Sequence, residues 1–258
     1  MLSLQQIQQF YPTQLHTFSS FLLREYLQHK ILVLLFKGDF ANKFAFLGGT
    51  CLRIVHQSNR FSEDLDFDNF NLSPADFEQV AAMIQQGLER EGFQIEMQQV
   101  YRGAYHCYIR FPNLLHQSGL SGHKEAKILI QLDTEPQNFD FQPENYLLNK
   151  FDSFGTIRTT PIDLLLAQKI TAFCNRRQPK GRDIYDITFL CSRTRPNYAY
   201  LNQRLNVKNS TELKEVLLIR LNKLNLNQLA KDVSPFLFYP DDLQRIFLFP
   251  KFIQQTDF

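Results

Sequence analysis

Two adjacent glycines close the apolar run Phe44-Ala45-Phe46-Leu47, and two aspartates one residue apart, Asp64 and Asp66, follow soon after. Few folds accommodate that order. A short, wholly apolar run ended by Gly48-Gly49 reads as a buried strand. Thr50 to His56 then reads as a short helix with Thr50 at its N-cap, and Ser58-Asn59 as a loop. Glu63 to Phe67 reads as a second strand. Strand side chains alternate, so Asp64 and Asp66 share one face while Leu65 and Phe67 share the other. The chain therefore needs a sheet with one apolar face and one face carrying paired carboxylates.

The remaining elements suit such a sheet. Apolar residues at helical spacing between residues 14 and 36 predict one or two helices. Ser73-Pro74 is a helix start, a cap followed by proline at the first helical position, and Glu91-Gly92 ends that helix. Phe93 to Val100 and Ala104 to Phe111 read as strands around a Tyr101-Arg102-Gly103 turn, with Pro112 to His123 a polar loop. Ala126 to Asp133 alternates and adds another strand. Asn138 to Asn149 reads as irregular, and Gly155 to Thr159 as a short strand. Thr160-Pro161 opens a strong helix, Ile162 to Cys174, with Asp163 at a capping-box-like position. Arg182 to Cys191 is another helix, and the remainder is helical, with Leu213, Leu217, Leu221 and Leu224 reading as core. The expected division is an α/β domain over residues 1–159 and a helical domain over 160–258.

Composition narrows the setting. At 258 residues the chain can bury a sizeable core. A net charge of +2 does not by itself indicate a polyanionic partner. The four cysteines lie far apart without metal-ligand or disulfide-framework spacing, which points to a reducing cytoplasm. The longest apolar run, Ile31 to Phe36, is far shorter than the roughly 20 residues a membrane span needs, and no signal peptide is evident. The six histidines lack the spacing of a metalloprotease helix, and serine-hydrolase and P-loop motifs are absent. A cytoplasmic protein with no membrane association is the expectation.

Two carboxylates on one strand face repel unless something positive sits between them, and Mg²⁺ is the first choice for all-oxygen ligands. Gly48, Gly49 and Thr50 offer backbone N–H groups and a hydroxyl, which suit phosphate. A third acid is expected on a neighbouring strand, and Asp133 ends the alternating run Lys127, Leu129, Gln131, Asp133. Phosphate cradle and metal carboxylates together suit phosphoryl or nucleotidyl transfer. Between Thr171 and Arg195 six Lys/Arg face two Asp, an excess of four positive charges and a modest footprint for RNA phosphates.

Gly-Gly-Thr-x-Leu-Arg over residues 48–53 and Arg-Phe-Ser-x-Asp-Leu-Asp-Phe over residues 60–67 resemble the AbiEii/AbiGii family of nucleotidyltransferase-fold proteins, several of them toxins of type IV toxin–antitoxin systems. Pro161-x-Asp163 through Lys169 is similar to that family's third motif, and Arg182-Asp183-x-x-Asp186 to its fourth. The family's second motif places an acid two residues after a lysine. Here that position after Lys127 holds Leu129, so either Asp133 fills the role in a shifted register or the third acid is missing.

The resemblance implies an α/β nucleotidyltransferase-like fold, a small mixed sheet flanked by helices, with a helical C-terminal half closing one side of a cleft. It implies transfer of a nucleoside monophosphate from an NTP to an acceptor, with the 3′ end of a tRNA or another RNA as acceptor and growth arrest as the consequence. Asp64 and Asp66 would hold Mg²⁺. Asp133 would serve as base or as a further ligand. Gly48, Gly49, Thr50 and Lys169 would hold the triphosphate, and Arg182 and Asp186 would belong to the active site. A cognate antitoxin is a further implication. The residues leave open a small-molecule or protein hydroxyl as acceptor, or a nucleotide- or RNA-binding module with decayed catalysis.

Overall fold

The computed structural model describes residues 1–258, apart from the side chain of Arg102. The chain divides into two units. The first comprises Met1–His56 and Ser62–Thr160, the second Gln57–Phe61 and Pro161–Phe258.

The first unit is built on a seven-stranded mixed sheet. Its strands are β1 (Phe44–Leu47), β2 (Leu65–Asn69), β3 (Glu96–Arg102), β4 (Ala104–Phe111), β5 (Ile128–Glu135), β6 (Glu144–Lys150) and β7 (Ser153–Thr159). Their spatial order is β3-β4-β5-β2-β1-β7-β6. β2 runs parallel to β5 and β1 parallel to β7, while the other pairs are antiparallel. The Ser19–Lys37 and Pro74–Arg90 helices pack on one face. Phe67 meets Phe36 of the first helix, and Tyr101 and Tyr105 meet Phe77 of the second. Cys107, Ile109, Ile130 and Leu132 are buried on this side. By alternation His106, Tyr108, Gln131, Asp133 and Asp66 lie on the opposite face, and all five are partly exposed.

Several local expectations shift. The aspartate strand begins at Leu65, leaving Asp64 just before it. The short helix runs Gly48–Ile54 with Leu47 at its N-cap, so Thr50 lies inside the helix and does not cap it. Thr160 does not cap the Ile162–Asn175 helix, whose N-cap is Pro161; Asp163 instead accepts a hydrogen bond from Asn197 Nδ2 at 2.9 Å. The hairpin after Phe93 is tighter than expected, with Gly103 alone between β3 and β4. The polar loop after Pro112 contains one helical turn, Leu114–Gln117. Residues 144–150, read as irregular, form the edge strand β6. That strand buries only Leu148, so its pattern carries no apolar alternation for a sequence reading to find.

A buried charge cluster ties the first unit together. Glu25 accepts Arg53 Nε at 2.8 Å and Lys150 Nζ at 2.8 Å. Burial alone would raise this carboxyl, but Arg53, Lys150 and His29 outweigh burial and bring it down to about 2. His29, equally buried, donates from Nδ1 to the Glu25 carbonyl at 2.7 Å, and burial pulls it down to about 4.

Both groups take up protons less readily when folded than when unfolded, so stability falls with acid. The His29 contribution is complete above its ordinary value of 6.5 and is lost as pH falls toward about 4. The Glu25 contribution is complete above 4.5 and is lost as pH falls toward about 2. Each pKa unit corresponds to about 1.4 kcal/mol, so the His29 window is worth on the order of 3 kcal/mol. Urea midpoints measured from pH 7 to 4 are expected to fall, and His29→Phe is expected to flatten most of that fall. An unchanged slope in His29→Phe would refute the assignment.

The second unit is helical. It contains the Ile162–Asn175, Gly181–Cys191, Tyr198–Leu205, Ser210–Leu221 and Leu226–Val233 helices, followed by 3-10 turns and the short helices Gln244–Phe247 and Phe249–Gln255. Leu213, Leu217 and Leu221 are buried, as their helical spacing suggests, whereas Leu224 lies beyond that helix and is half-buried. Gly181 opens its helix against a neighbouring one, where a β-carbon would overlap the Leu229 carbonyl oxygen, and its N–H donates to Asp232 at 2.9 Å. Gln57–Phe61 joins this unit through backbone pairing. Arg60 bridges Leu237, and the N–H of Phe61 donates to the Phe236 carbonyl at 2.8 Å. Among the described residues no helix is long and apolar enough to cross a membrane.

Candidate active site

In the first unit, strand register brings the predicted carboxylates together. Asp66 on β2 pairs across the parallel ladder with Asp133 on β5. Neighbouring strands lie about 4.8 Å apart and registered residues share a face. Lys127 lies outside β5 and pairs with Glu96 at 2.8 Å. The residue two before Asp133 is Gln131, whose Nε2 donates to both Asp133 oxygens at 2.8 and 2.9 Å. His106, opposite Asp133 on β4, places Nδ1 2.7 Å from Oδ1. Neither Gln131 nor His106 is prominent in the sequence, because only the long-range register of β4 with β5 brings His106 to Asp133.

The glycine turn is shaped by Asp66. Leu47 pairs with Asp66 across β1 and β2, and Gly48 follows with φ of +80°. A β-carbon at Gly48 would overlap Oδ2 of Asp66. Glycine is thus required twice, for its left-handed backbone and for the space the carboxylate fills. Gly49 and Thr50 are buried beside it. The Thr50 hydroxyl donates to the Asp64 carbonyl, fixing the backbone from which that carboxylate projects. Gln28 Nε2 donates to the carbonyls of Ser62 and Glu63 at 3.1 and 2.9 Å, and Arg24 pairs with Glu63 at 2.9 Å, holding the approach to Asp64. Arg53, the last residue of the Gly-Gly-Thr-x-Leu-Arg motif, anchors the turn through Glu25. Asp68, the third aspartate on this strand face, is buried and accepts the N–H of Gln137 at 2.8 Å.

Gly48→Ala is expected to cost about 1–2 kcal/mol for the left-handed backbone alone, and to push Asp66 aside. Urea unfolding and a transfer assay would read both effects. Wild-type behaviour in each would show that the close approach of Gly48 to Asp66 has no role.

In the second unit Asp186 is the hub. It is fully buried and receives Arg60 Nε on one oxygen and Nη2 on the other, each at 2.7 Å. Lys169 Nζ lies 2.8 Å from the same carboxylate, with its side chain slightly exposed. Burial would raise the Asp186 carboxyl, but Arg60 and then Lys169 reverse that and hold it below its ordinary value. Two cations around one carboxylate leave a net positive charge, which suits an anionic substrate. Arg60 was quoted in the sequence pattern without a role, and its partner 126 residues away supplies one. Asp183, by contrast, caps its helix by accepting the Lys180 N–H at 3.1 Å and pairs with Arg176 at 3.1 Å. The Arg182 guanidinium stacks over the Phe236 ring, 4.8 Å from its centre.

Among the described residues, no three His, Cys, Asp or Glu side chains converge to hold a metal ion by themselves. That donor set still fits Mg²⁺, which commonly takes one or two carboxylates and completes its shell with water and substrate phosphate. Asp64 and Asp66 are the two carboxylates that would fill that role, while Asp133 takes hydrogen bonds from Gln131 and His106.

The solved structure of JHP933 from Helicobacter pylori shares the fold, with a TM-score of 0.54 at 16% identity and 92% of each chain covered. A second Helicobacter pylori structure, of a candidate nucleotidyltransferase, gives 0.56 at 15% identity over 92% of this chain and 95% of that one. No curated protein matches the chain in sequence. Residues 30–243 match the family described as nucleotidyl transferase AbiEii toxin, type IV TA system. The chain belongs to this AbiEii family, and it is a nucleotidyltransferase of the type IV toxin–antitoxin class.

Proposed function

We propose that the protein transfers a nucleoside monophosphate from an NTP to the 3′ end of an RNA, with tRNA the favoured acceptor, in a Mg²⁺-dependent reaction that arrests growth. The observation that carries the chemistry is the registered pair of Asp66 and Asp133 beside the Gly48 turn. Carboxylates about 5 Å apart repel by ~3 kcal/mol at an effective dielectric of about 20, a cost that a reaction using both negative charges would justify. Asp64 and Asp66 would hold Mg²⁺, which when bound neutralises charge on the phosphates and aligns the reactants. Gly48, Gly49 and Thr50 would offer backbone N–H groups to the triphosphate. Lys169 and Arg182 supply positive charge to phosphate, and Asp186 orients Lys169.

Asp133 accepts the proton of the acceptor hydroxyl as its oxygen bonds to the α-phosphorus. The bond from that phosphorus to the bridging oxygen breaks, and pyrophosphate leaves. The excess of basic residues between Thr171 and Arg195 supports a polyanionic acceptor over a small molecule or a protein hydroxyl. A cytoplasmic location, a role in abortive infection by phage and a cognate antitoxin are the proposed biological setting.

The test is label transfer from each α-³²P-labelled NTP to total tRNA with Mg²⁺. Label in tRNA supports the reading and identifies the base. Label in protein or a small molecule replaces the acceptor. Tight NTP binding without consumption of NTP favours a decayed binding module.

A further inference from the structure

Asp133 is held by two donors that nothing in the sequence motifs assigns. Gln131 lies two residues earlier on the same strand face and donates to both carboxylate oxygens, and His106 donates from the facing strand. The three side chains form one hydrogen-bonded group on the open face of the sheet, each partly exposed. Asp66 lies on the other flank of Asp133, in register and of like charge. Without fixed donors, repulsion from Asp66 would swing the Asp133 carboxylate through its rotamers. The Gln131 amide and the His106 ring N–H fix its direction.

We infer that His106 and Gln131 are positioning residues, a pair of hydrogen-bond donors that aim Asp133 at the acceptor hydroxyl. This rests on the transfer reading above. Because the acceptor's proton moves only in the reaction, loss of aim should lower kcat and leave NTP binding alone. A catalytic group displaced by about 1 Å commonly costs about 100-fold.

The experiment compares wild-type protein with His106→Leu, Gln131→Leu, His106→Asn and Asp66→Ala. All are read by transfer from α-³²P-labelled NTP to total tRNA with Mg²⁺, and by NTP binding. His106→Leu and Gln131→Leu are each expected to lose about 10- to 100-fold in kcat, with KM for NTP within about threefold of wild type. His106→Asn offers an amide N–H near the place of Nδ1 and is expected to stay within about threefold of wild-type kcat. A purely structural histidine would show no such rescue. In nitrogen NMR of the wild-type protein, His106 is expected to carry a proton on Nδ1.

Wild-type rates in both leucine variants while Asp66→Ala is inactive would overturn this inference and leave the transfer reading standing. Equal damage from His106→Asn and His106→Leu, or His106 protonated on Nε2 alone, would also overturn it. A wild-type protein that consumes no NTP, or an active Asp66→Ala, would overturn the transfer reading and this inference with it.

Discussion

Asp66→Ala is expected to lower nucleotidyl transfer by at least about 1000-fold while leaving the fold as stable as before, or slightly more so. The rate loss follows from removing one of the two carboxylates proposed for Mg²⁺, a contribution worth several kcal/mol. The stability gain follows from register. Asp66 and Asp133 are neighbours on one sheet face, and alanine ends their repulsion. A site that costs stability and supplies activity is the usual signature of function. Thermal melting and label transfer on the same preparations read both effects. Retained transfer would remove Asp66 from the chemistry, and a melting point lowered by more than about 5 °C would make its role structural.

Arg60→Met is expected to be the most damaging single change to stability. It strips both bidentate hydrogen bonds from a fully buried carboxylate and leaves Lys169 as its remaining ion-pair partner. Breaking a buried pair this way costs about 3–5 kcal/mol, against a typical domain stability of about 5–15 kcal/mol. Adding Asp186→Leu removes the stranded charge, and the double variant is expected to recover most of the loss. It should still transfer no label, because Lys169 then lacks the carboxylate that orients it. Urea unfolding of both variants tests this. A double variant no more stable than Arg60→Met would show that the pair contributes through packing and not through charge.

How far the sequence could be read depends on the range of the interaction involved. The strand Phe44–Leu47 and the start of the helix at Pro74 were legible because their signals are local: an apolar run before glycines, and a serine cap before proline. The glycine turn and Asp64/Asp66 were legible for the same reason. Asp133 was a candidate by alternation, but its place beside Asp66 depends on a parallel register that no local pattern states. Arg60 had no role that local pattern could give it and is 1% exposed, because its partner Asp186 lies 126 residues further along the chain. Thr50 looked like a cap and is a tie to the Asp64 backbone. β6 was missed because an edge strand with Leu147 facing outward carries little apolar periodicity.

The short stretch Gln57–Phe61 belongs to the second unit although the chain on either side of it belongs to the first. This has a consequence for biosynthesis. Arg60 leaves the ribosome 126 residues ahead of Asp186. At about 5–20 residues per second, that is a delay of roughly 6 to 25 s. Through that interval the first unit can form its sheet and gather its carboxylates, while Arg60 has no anion to meet. The Lys169–Asp186 pair can form only once Asp186 has been made, so a product truncated before that residue would carry Asp64, Asp66 and Asp133 without it. Cutting the gene at the apparent boundary would have the reverse effect, yielding a helical fragment from which the arginine at its core is missing.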